Sequence, residues 1–389
     1  MKSQRIVGIF CLALFLHACA STRNALPESL VDQALVLGGS TARMWGDELP
    51  RDIDARVELI RQQFGGDNDY NIFKRPATFL ALSGGGANGA FGAGFLKGWS
   101  ESGTRPEMII VAGISTGALI APYAFLGSSY DDDLERFYTG MATSDLATQQ
   151  SLLRSLFGDA LFDTQPLRKL LRQEIDEQMI QEIAREYRRG RRLLIGTTNL
   201  DSRRPVIWNI GAIAQIGTEE ANQLIRDVIL ASASIPGVFP PVRIKVKVGD
   251  QAYDEIHVDG GVTTQVFIYP PQIDLKSAAR EIGVTGDHTV YVIRNSYLNA
   301  RWSEVSLGLG PILVSSIETI IRTQGLGDLY RIYLGAVRDN ARFNLAYIPD
   351  DFEAESNEPF DPEYMRALFD LGYELARNGY DWANSPPGF

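Results

Sequence analysis

Gly113-Ile114-Ser115-Thr116-Gly117 sets a serine two positions from a glycine on either side. The apolar run Met108–Ala112 leads into it and the small-residue stretch Ala118-Leu119-Ile120-Ala121 leads out, so the pattern reads strand, sharp turn, helix. A serine hydroxyl is a weak nucleophile at neutral pH and needs a base beside it. Lifted on such a turn it can attack a carbonyl carbon, and the glycines keep side chains out of a crowded backbone. Roughly thirty residues earlier a second strand–turn–helix pattern carries Gly84-Gly85-Gly86-Ala87-Asn88-Gly89 after the run Ala77–Leu82. Its spacing also fits the dinucleotide fingerprint G-x-G-x-x-G, but the acidic residue expected about twenty positions on is missing, and the Ser115 turn stands there instead. Glycines here aim backbone N–H groups and a helix N-terminus at one oxygen, so an oxyanion hole fits better.

The base is less obvious. The chain has three histidines, His17, His257 and His288, and His17 lies in the extreme N-terminal segment. Asp259-Gly260-Gly261 closes an apolar run, where a carboxylate can project from a sharp loop. An aspartate taking the proton directly from Ser115 would make a two-residue dyad. Its ordinary pKa of about 3.9 makes it a weak base, so burial, geometry and oxyanion stabilisation must carry more of the barrier. His257, two residues from Asp259, shares its side of a strand. It is an alternative base, a tuner of Asp259, or a locally hydrogen-bonded structural histidine.

These residues need a scaffold, and the composition allows a large one: 389 residues, 45% hydrophobic and 22% charged. From Pro76 to about Tyr297 strands and helices alternate, which argues for a mostly parallel sheet covered on both faces. LLIGTTNL and PVIWNI read as strands joined by a turn at Asp201-Ser202. VRIKVKV reads as a strand with a hairpin turn at Gly249-Asp250, and TVYVIRNSY as a further strand. ANQLIRDVILASASIP reads as a helix stopped by Pro236, and LRKLLRQEIDEQMIQEIAREYRRG as one long amphipathic helix. Upstream, LPESLVDQALVL is helix-compatible, RDIDARVELIRQQF puts Ile53, Val57, Ile60 and Phe64 on one helical face, and GGDNDYN breaks the pattern. The tail reads as helices around PILVSSIETIIRT, LGDLYRIYLGAVRDN and PEYMRALFDLGYELARNG, with a strand-like FNLAYIP between them.

The net charge is −11, and the densest basic cluster, RRGRR at Arg188 to Arg192, reads as a solvated helix end. Nucleic acid is therefore not an expected partner. Lys2 and Arg5 precede an apolar stretch, Ile6 to Leu16, too short to span a bilayer. Leu16-His17-Ala18-Cys19 then resembles a bacterial lipobox, in which the cysteine is lipidated and becomes the new N-terminus. An ordinary cleaved signal, to which Ala18 is also suited, is the alternative. The only cysteines are Cys11 and Cys19, so a processed chain has no pair to form a disulfide. Lipidation of Cys19 would supply the membrane attachment that an acidic surface does not. Ala20 rather than aspartate after it suggests, by analogy with bacterial lipoproteins, the outer membrane of the cell envelope.

Taken in order, Gly84 to Gly89, Gly113 to Gly117, Ala231-Ser-Ala-Ser-Ile-Pro-Gly-Val-Phe-Pro-Pro-Val242 and Asp259-Gly260-Gly261 resemble the patatin-like phospholipases, over roughly Ala77 to Gly261. The resemblance implies a three-layer α/β fold with a mostly parallel central sheet, helices on both faces and a nucleophile elbow. It implies that Ser115 attacks a lipid acyl ester, most naturally a phospholipid, while Asp259 takes the proton. The backbone of Gly84, Gly85, Gly86, Ala87, Asn88 and Gly89 would stabilise the oxyanion, with no metal, calcium or other cofactor. Ser83 stands where plant patatins have aspartate, and Asn88 where they commonly carry a basic residue, which bears on oxyanion strength and head-group preference. A catalytically inactive patatin-fold lipoprotein that binds lipid or another envelope component is the other reading. The expected division is residues 1–18 signal, 19–75 tether and accessory helices, 76–297 catalytic domain, and 298–389 a helical extension packed on the core.

Overall fold

Nine strands form one open sheet: β1 (Arg43–Trp45), β2 (Ala77–Leu82), β3 (Ile110–Gly113), β4 (Arg192–Asn199), β5 (Arg204–Asn209), β6 (Val242–Val248), β7 (Gln251–Asp259), β8 (His288–Arg294) and β9 (Arg342–Tyr347). The computed structural model describes residues 23–389 except 38, 51, 65–75, 141, 147, 150–161, 275, 278–279, 281–285 and 303. The lipobox and the GGDNDYN break lie outside the described residues. The main path runs β1-β5-β4-β3-β2-β8-β9, with β7 and β6 added beside β4. Its centre, β4-β3-β2-β8-β9, is parallel, and β5, β7 and β6 join by antiparallel pairing. Parallel strands must be covered on both faces, and β2 is buried along its whole length.

Besides the single turn Thr143–Leu146, the helices among the described residues are α1 (Ile53–Phe64), α2 (Gly89–Glu101), α3 (Thr116–Leu126), α4 (Asp131–Thr139), α5 (Gln165–Glu174), α6 (Glu177–Arg188), α7 (Ile210–Ala214), α8 (Glu219–Ser232), α9 (Leu309–Arg338) and α10 (Pro362–Arg377). One apolar cluster joins residues of α2, α3, α4, α6, α8 and α10 to one side of the sheet. A second joins Leu329 and Ala336 of α9 and Ile60 of α1 to Phe79, Val290, Val292 and Leu345. The arrangement is the expected α/β one, a central sheet between helical layers.

How β4 shares one edge decides where the site lies. Its first half pairs with β3 as far as Gly113↔Ile195. Its second half pairs on that edge with β7, from Thr197↔Asp259 to Asn199↔His257. The C-terminal ends of β3 and β7 therefore meet head-on, with Gly196 between them. The elbow after Gly113 and the loop after Asp259 are thrown together by this geometry.

Several expectations change. The stretch from Leu167 to Gly190 is two helices, because Asp176 caps α6 by accepting from Met179 N–H at 2.8 Å while Ile175 leaves helical geometry with ψ 68°. LPESLVDQALVL yields only the short 3₁₀ turn Glu28–Gln33, and Leu35 goes on to bridge Lys247. The RRGRR cluster is not simply solvated. Arg191 is buried, ion-paired with Glu186 at 3.0 Å, and donates to the carbonyls of Met108 and Phe125. The two tail helices around residues 311–338 are one 30-residue helix, α9.

The tail is also more than a helical cover. β9 pairs with β8 in parallel over six residues, and α10 lies directly against α2. That contact has no room for side chains at its closest points. A Cβ on Gly94 would lie 1.9 Å from the Phe369 carbonyl oxygen, and one on Gly98 2.1 Å from that of Tyr373. Met365, Leu368, Phe369 and Ala376 are buried in the same seam, each large apolar side chain contributing about 1.5–3 kcal/mol.

Candidate active site

Ser115 sits between β3 and α3 with φ 56° and ψ −125°, a left-handed conformation that a non-glycine residue holds only where its surroundings enforce it. The enforcement is visible. A Cβ on Gly113 would lie 2.3 Å from the Gly117 carbonyl oxygen, and one on Gly117 2.3 Å from that of Leu82. The Ser115 N–H donates to Ser232 Oγ at 3.0 Å, and Ser232 Oγ donates to the Gly196 carbonyl at 2.6 Å. Ser232 thus ties the elbow to the gap left between β3 and β7.

Asp259 reaches the same place from the other side. Its N–H donates to the Ser234 carbonyl at 2.9 Å, and its Oδ1 accepts from Gly261 N–H at 2.7 Å. Both glycines of the loop are required: a Cβ on Gly260 would lie 2.5 Å from the Gly196 carbonyl oxygen, and one on Gly261 2.4 Å from Gln265 Nε2. Ser115 is 7% exposed and Asp259 4%, so little water solvates the carboxylate. Burial pushes its pKa up to about 7, and the Ser115 side chain and the Gly261 N–H hold it back from rising further. The Ser115 side chain is near enough to exert that effect, yet Oδ2 is buried with no hydrogen-bond partner of ordinary geometry among the described residues. Ser115 thus lies beside a carboxylate that keeps one oxygen unspent among the described residues. A base of pKa near 7 that faces a serine hydroxyl can take its proton at neutral pH.

The glycine loop is narrower in its offering than its sequence. Gly84 N–H donates to the Gln265 carbonyl, Asn88 N–H to that of Gly85, and Gly89 N–H to those of Gly86 and Ala87. The N–H groups of Gly85, Gly86 and Ala87 meet no acceptor among the described residues. Gly86 has φ +57°, which turns the chain there. The Asn88 N–H is spent on the Gly85 carbonyl, and its Oδ1 accepts from Tyr364 of α10 at 2.7 Å. Beside the loop, Thr116 opens α3, so its N–H is one of those a helix leaves unpaired. A Cβ on Gly89 would lie 2.0 Å from Thr116 Oγ1, which brings the N-termini of α2 and α3 side by side. Two helix starts and free N–H groups converge on one spot, a setting suited to a developing negative charge.

Residues that the sequence did not mark hold these parts together. Asn295, fully buried just after β8, donates its N–H to Ser83 Oγ and its Nδ2 to the Ser83 carbonyl, both at 2.9 Å. Its Oδ1 accepts from Gly92 N–H at 3.1 Å. Gln265 accepts from Gly84 N–H and donates Nε2 to the Gly261 carbonyl at 2.7 Å, linking the glycine loop to the aspartate loop. Asp328 of α9 in turn accepts from Gln265 N–H at 2.7 Å. Ser232 and Ser234 fall inside the quoted Ala231–Val242 block, which was their signal. Gln265, Asn295 and Asp328 have none.

His257 is not placed as the base. Trp208 Nε1 donates to Thr197 Oγ1 at 2.8 Å. The ionised Glu255 carboxylate can only accept, so His257 Nε2–H donates to it at 3.1 Å, and Nδ1 of the neutral ring accepts from the Thr197 hydroxyl at 2.9 Å. Burial pushes its pKa down, which keeps the ring neutral. Arg43 also pairs with Glu255, whose pKa is held down to about 2 by its histidine and arginine partners against the opposing cost of burial. Both ring nitrogens are spent on structure. Behind the elbow, a mainly apolar cavity of about 310 Å³ is lined by Ile114 and Gly260 together with Ile207, Phe267, Val290 and Ile332. Among the described residues no cluster of three His, Cys, Asp or Glu side chains is placed to hold a metal ion.

The molecule is thus an α/β protein with a nucleophile elbow, a carboxylate and a glycine cradle at the C-terminal edge of its central strands. Residues 80–270 match the family model for patatin-like phospholipases, and this part of the chain belongs to that family. No curated protein matches the chain. Solved structures similar to it include VipD from Legionella pneumophila, at 12% identity over 78% of this chain and 66% of that one, with a TM-score of 0.38. Human GIVD cytosolic phospholipase A2 is 12% identical over 83% of this chain and 55% of that one, TM-score 0.34. The type III effector protein ExoU is 13% identical over 78% and 53%, TM-score 0.22. The chain spans just under two thirds of the first and little more than half of the other two.

Proposed function

We propose that the protein is a serine acyl hydrolase that cleaves lipid acyl esters, phospholipids foremost, through a Ser115–Asp259 dyad. The observation that carries this reading is the placement of Ser115, on a left-handed elbow, beside a buried aspartate whose pKa is raised to about 7. Asp259 takes the hydroxyl proton as Ser115 Oγ attacks the ester carbonyl. The tetrahedral oxyanion is received by the N–H groups of Gly85, Gly86 and Ala87, with Thr116 N–H beside them. Asp259 then returns the proton to the departing alcohol, leaving an acyl-enzyme. Water, deprotonated by the same carboxylate, releases the fatty acid and restores Ser115. The apolar cavity behind Ile114 and Gly260 is where an acyl chain is accommodated. Lipidation at Cys19, outside the described residues, would keep the enzyme on the cell envelope, at the outer membrane.

The test is a lipid-class hydrolysis panel on the parent chain, Ser115→Ala and Asp259→Asn. Each substitution is expected to lower the rate by about 10³-fold or more while leaving the fold intact. Full activity in either variant removes the dyad. Labelling of Ser115 by a fluorophosphonate separates an enzyme from an inactive binding module, since a dead site does not react.

A further inference from the structure

α9 packs on the sheet with only part of its length. Gly325, Asp328, Leu329 and Ala336 are buried, whereas none of the described side chains between residues 309 and 324 is. The helix leads directly into β9, so its C-terminal end lies where the parallel strands begin and its N-terminal half emerges where they end. That is the edge that carries Ser115 and the glycine cradle. Gly325 abuts the Arg294 guanidinium, one residue from the clamp Asn295, and Asp328 holds Gln265, so the helix leaves the body beside the site. Residues 309–321 amount to roughly 20 Å of helix. Over 305–321 the sequence, VSLGLGPILVSSIETII, contains a single charge, Glu318. Exposure is extreme around it: Trp302 88%, Leu307 99%, Ile320 63% and Ile312 46%. A nearly uncharged helical stretch whose described apolar side chains stand exposed calls for an apolar medium.

We propose that Trp302, Val305, Leu307, Ile312 and Ile320 dock the protein onto a phospholipid bilayer and present the Ser115 edge to it. This rests on the acyl-hydrolase reading of the site. Charge selects the partner. A chain of net charge −11 is not drawn to anionic surfaces, and a tryptophan-flanked element with Glu318 as its single charge enters the boundary between head groups and acyl chains without electrostatic help. No helix among the described residues is long and apolar enough to cross a membrane, so the element lies on the bilayer rather than through it.

The experiment uses the full chain with Cys19→Ser, which removes lipidation, and Ser115→Ala, which removes turnover. It is mixed with phosphatidylcholine vesicles brominated in the acyl chains, beside the same chain carrying Trp302→Phe. Quenching of an emission component that Trp302→Phe lacks is expected; equal quenching in both overturns the proposal. In the active chain, Leu307→Asp with Ile312→Asp is expected to slow vesicle hydrolysis about tenfold and leave a soluble short-chain ester untouched. Equal loss on both substrates overturns docking in favour of a direct role in the site. A concentration-dependent dimer that the double variant abolishes overturns it in favour of a second copy of the chain. Quenching without hydrolysis of either substrate by the active chain sustains docking and removes the hydrolase reading.

Discussion

Asp259 can act as a base only after losing its proton, and its pKa of about 7 puts that loss in the neutral range. The hydrolysis rate of a non-ionising ester is therefore expected to climb between about pH 6 and 8; a plateau already reached at pH 5 refutes it. Stability runs the other way. An unfolded aspartate ionises near pH 3.9, whereas the native one keeps its proton up to about 7, so stability present at low pH is lost as pH rises through that window. Melting curves of Asp259→Asn against the parent should show the variant's Tm gaining on the parent's steadily from about pH 4 to pH 8. His257→Ala makes the contrasting case. It leaves Glu255 and Thr197 without their buried partner and is expected to cost about 3 kcal/mol in denaturant unfolding. The rate per folded molecule should stay within about tenfold of the parent, since neither ring nitrogen faces Ser115. The sequence showed Ser115, Asp259 and the glycines because each is announced by its immediate neighbours: sharp backbone turns need glycine where they occur. Asn295 is separated from Ser83 by 212 positions, Gln265 links the two loops through its carbonyl and side-chain amide, and Asp328 is 63 positions from the Gln265 N–H that it holds. Nothing local distinguishes such residues from ordinary polar ones.

The strand ends and helix starts around the site leave their positions little freedom. Gly85 lies against Asn295, where a Cβ would sit 2.1 Å from a backbone carbonyl oxygen that cannot rotate away. Gly85→Ala should displace the cradle and lower the acyl-transfer rate by about 100-fold, with a smaller effect on binding of a substrate analogue. An unchanged rate would place the oxyanion elsewhere. The elements themselves followed their patterns closely: the Gly249-Asp250 hairpin and the Asp201-Ser202 turn formed as their turn residues dictate, and TVYVIRNSY formed a strand that ends at Arg294. What the pattern hid was continuity. α5 and α6 share one amphipathic rhythm, and only the cap at Asp176 separates them. The apolar stretches of α9 read as two helices because no one face repeats along it. The split edge of β4, half taken by β3 and half by β7, is a tertiary choice that no run of residues encodes.

At the level of the whole molecule, the family match ends at residue 270 but the sheet does not. β8 pairs with β2 and β9 with β8, and α10 closes over α2 through Gly94, Gly98 and Gly372, while Tyr364 holds Asn88 at the foot of the cradle. A chain ended at residue 361 lacks α10 and exposes Phe91, Phe95 and the glycine seam. It is expected to lose cooperative unfolding by circular dichroism and to lose ester hydrolysis together with it; a folded, active truncation would contradict this. The same seam has a consequence in time. The ribosome delivers the elbow and the cradle well before α10. On the proposed acyl-hydrolase reading, a chain assembled in this order stays idle until α10 has emerged and docked on α2.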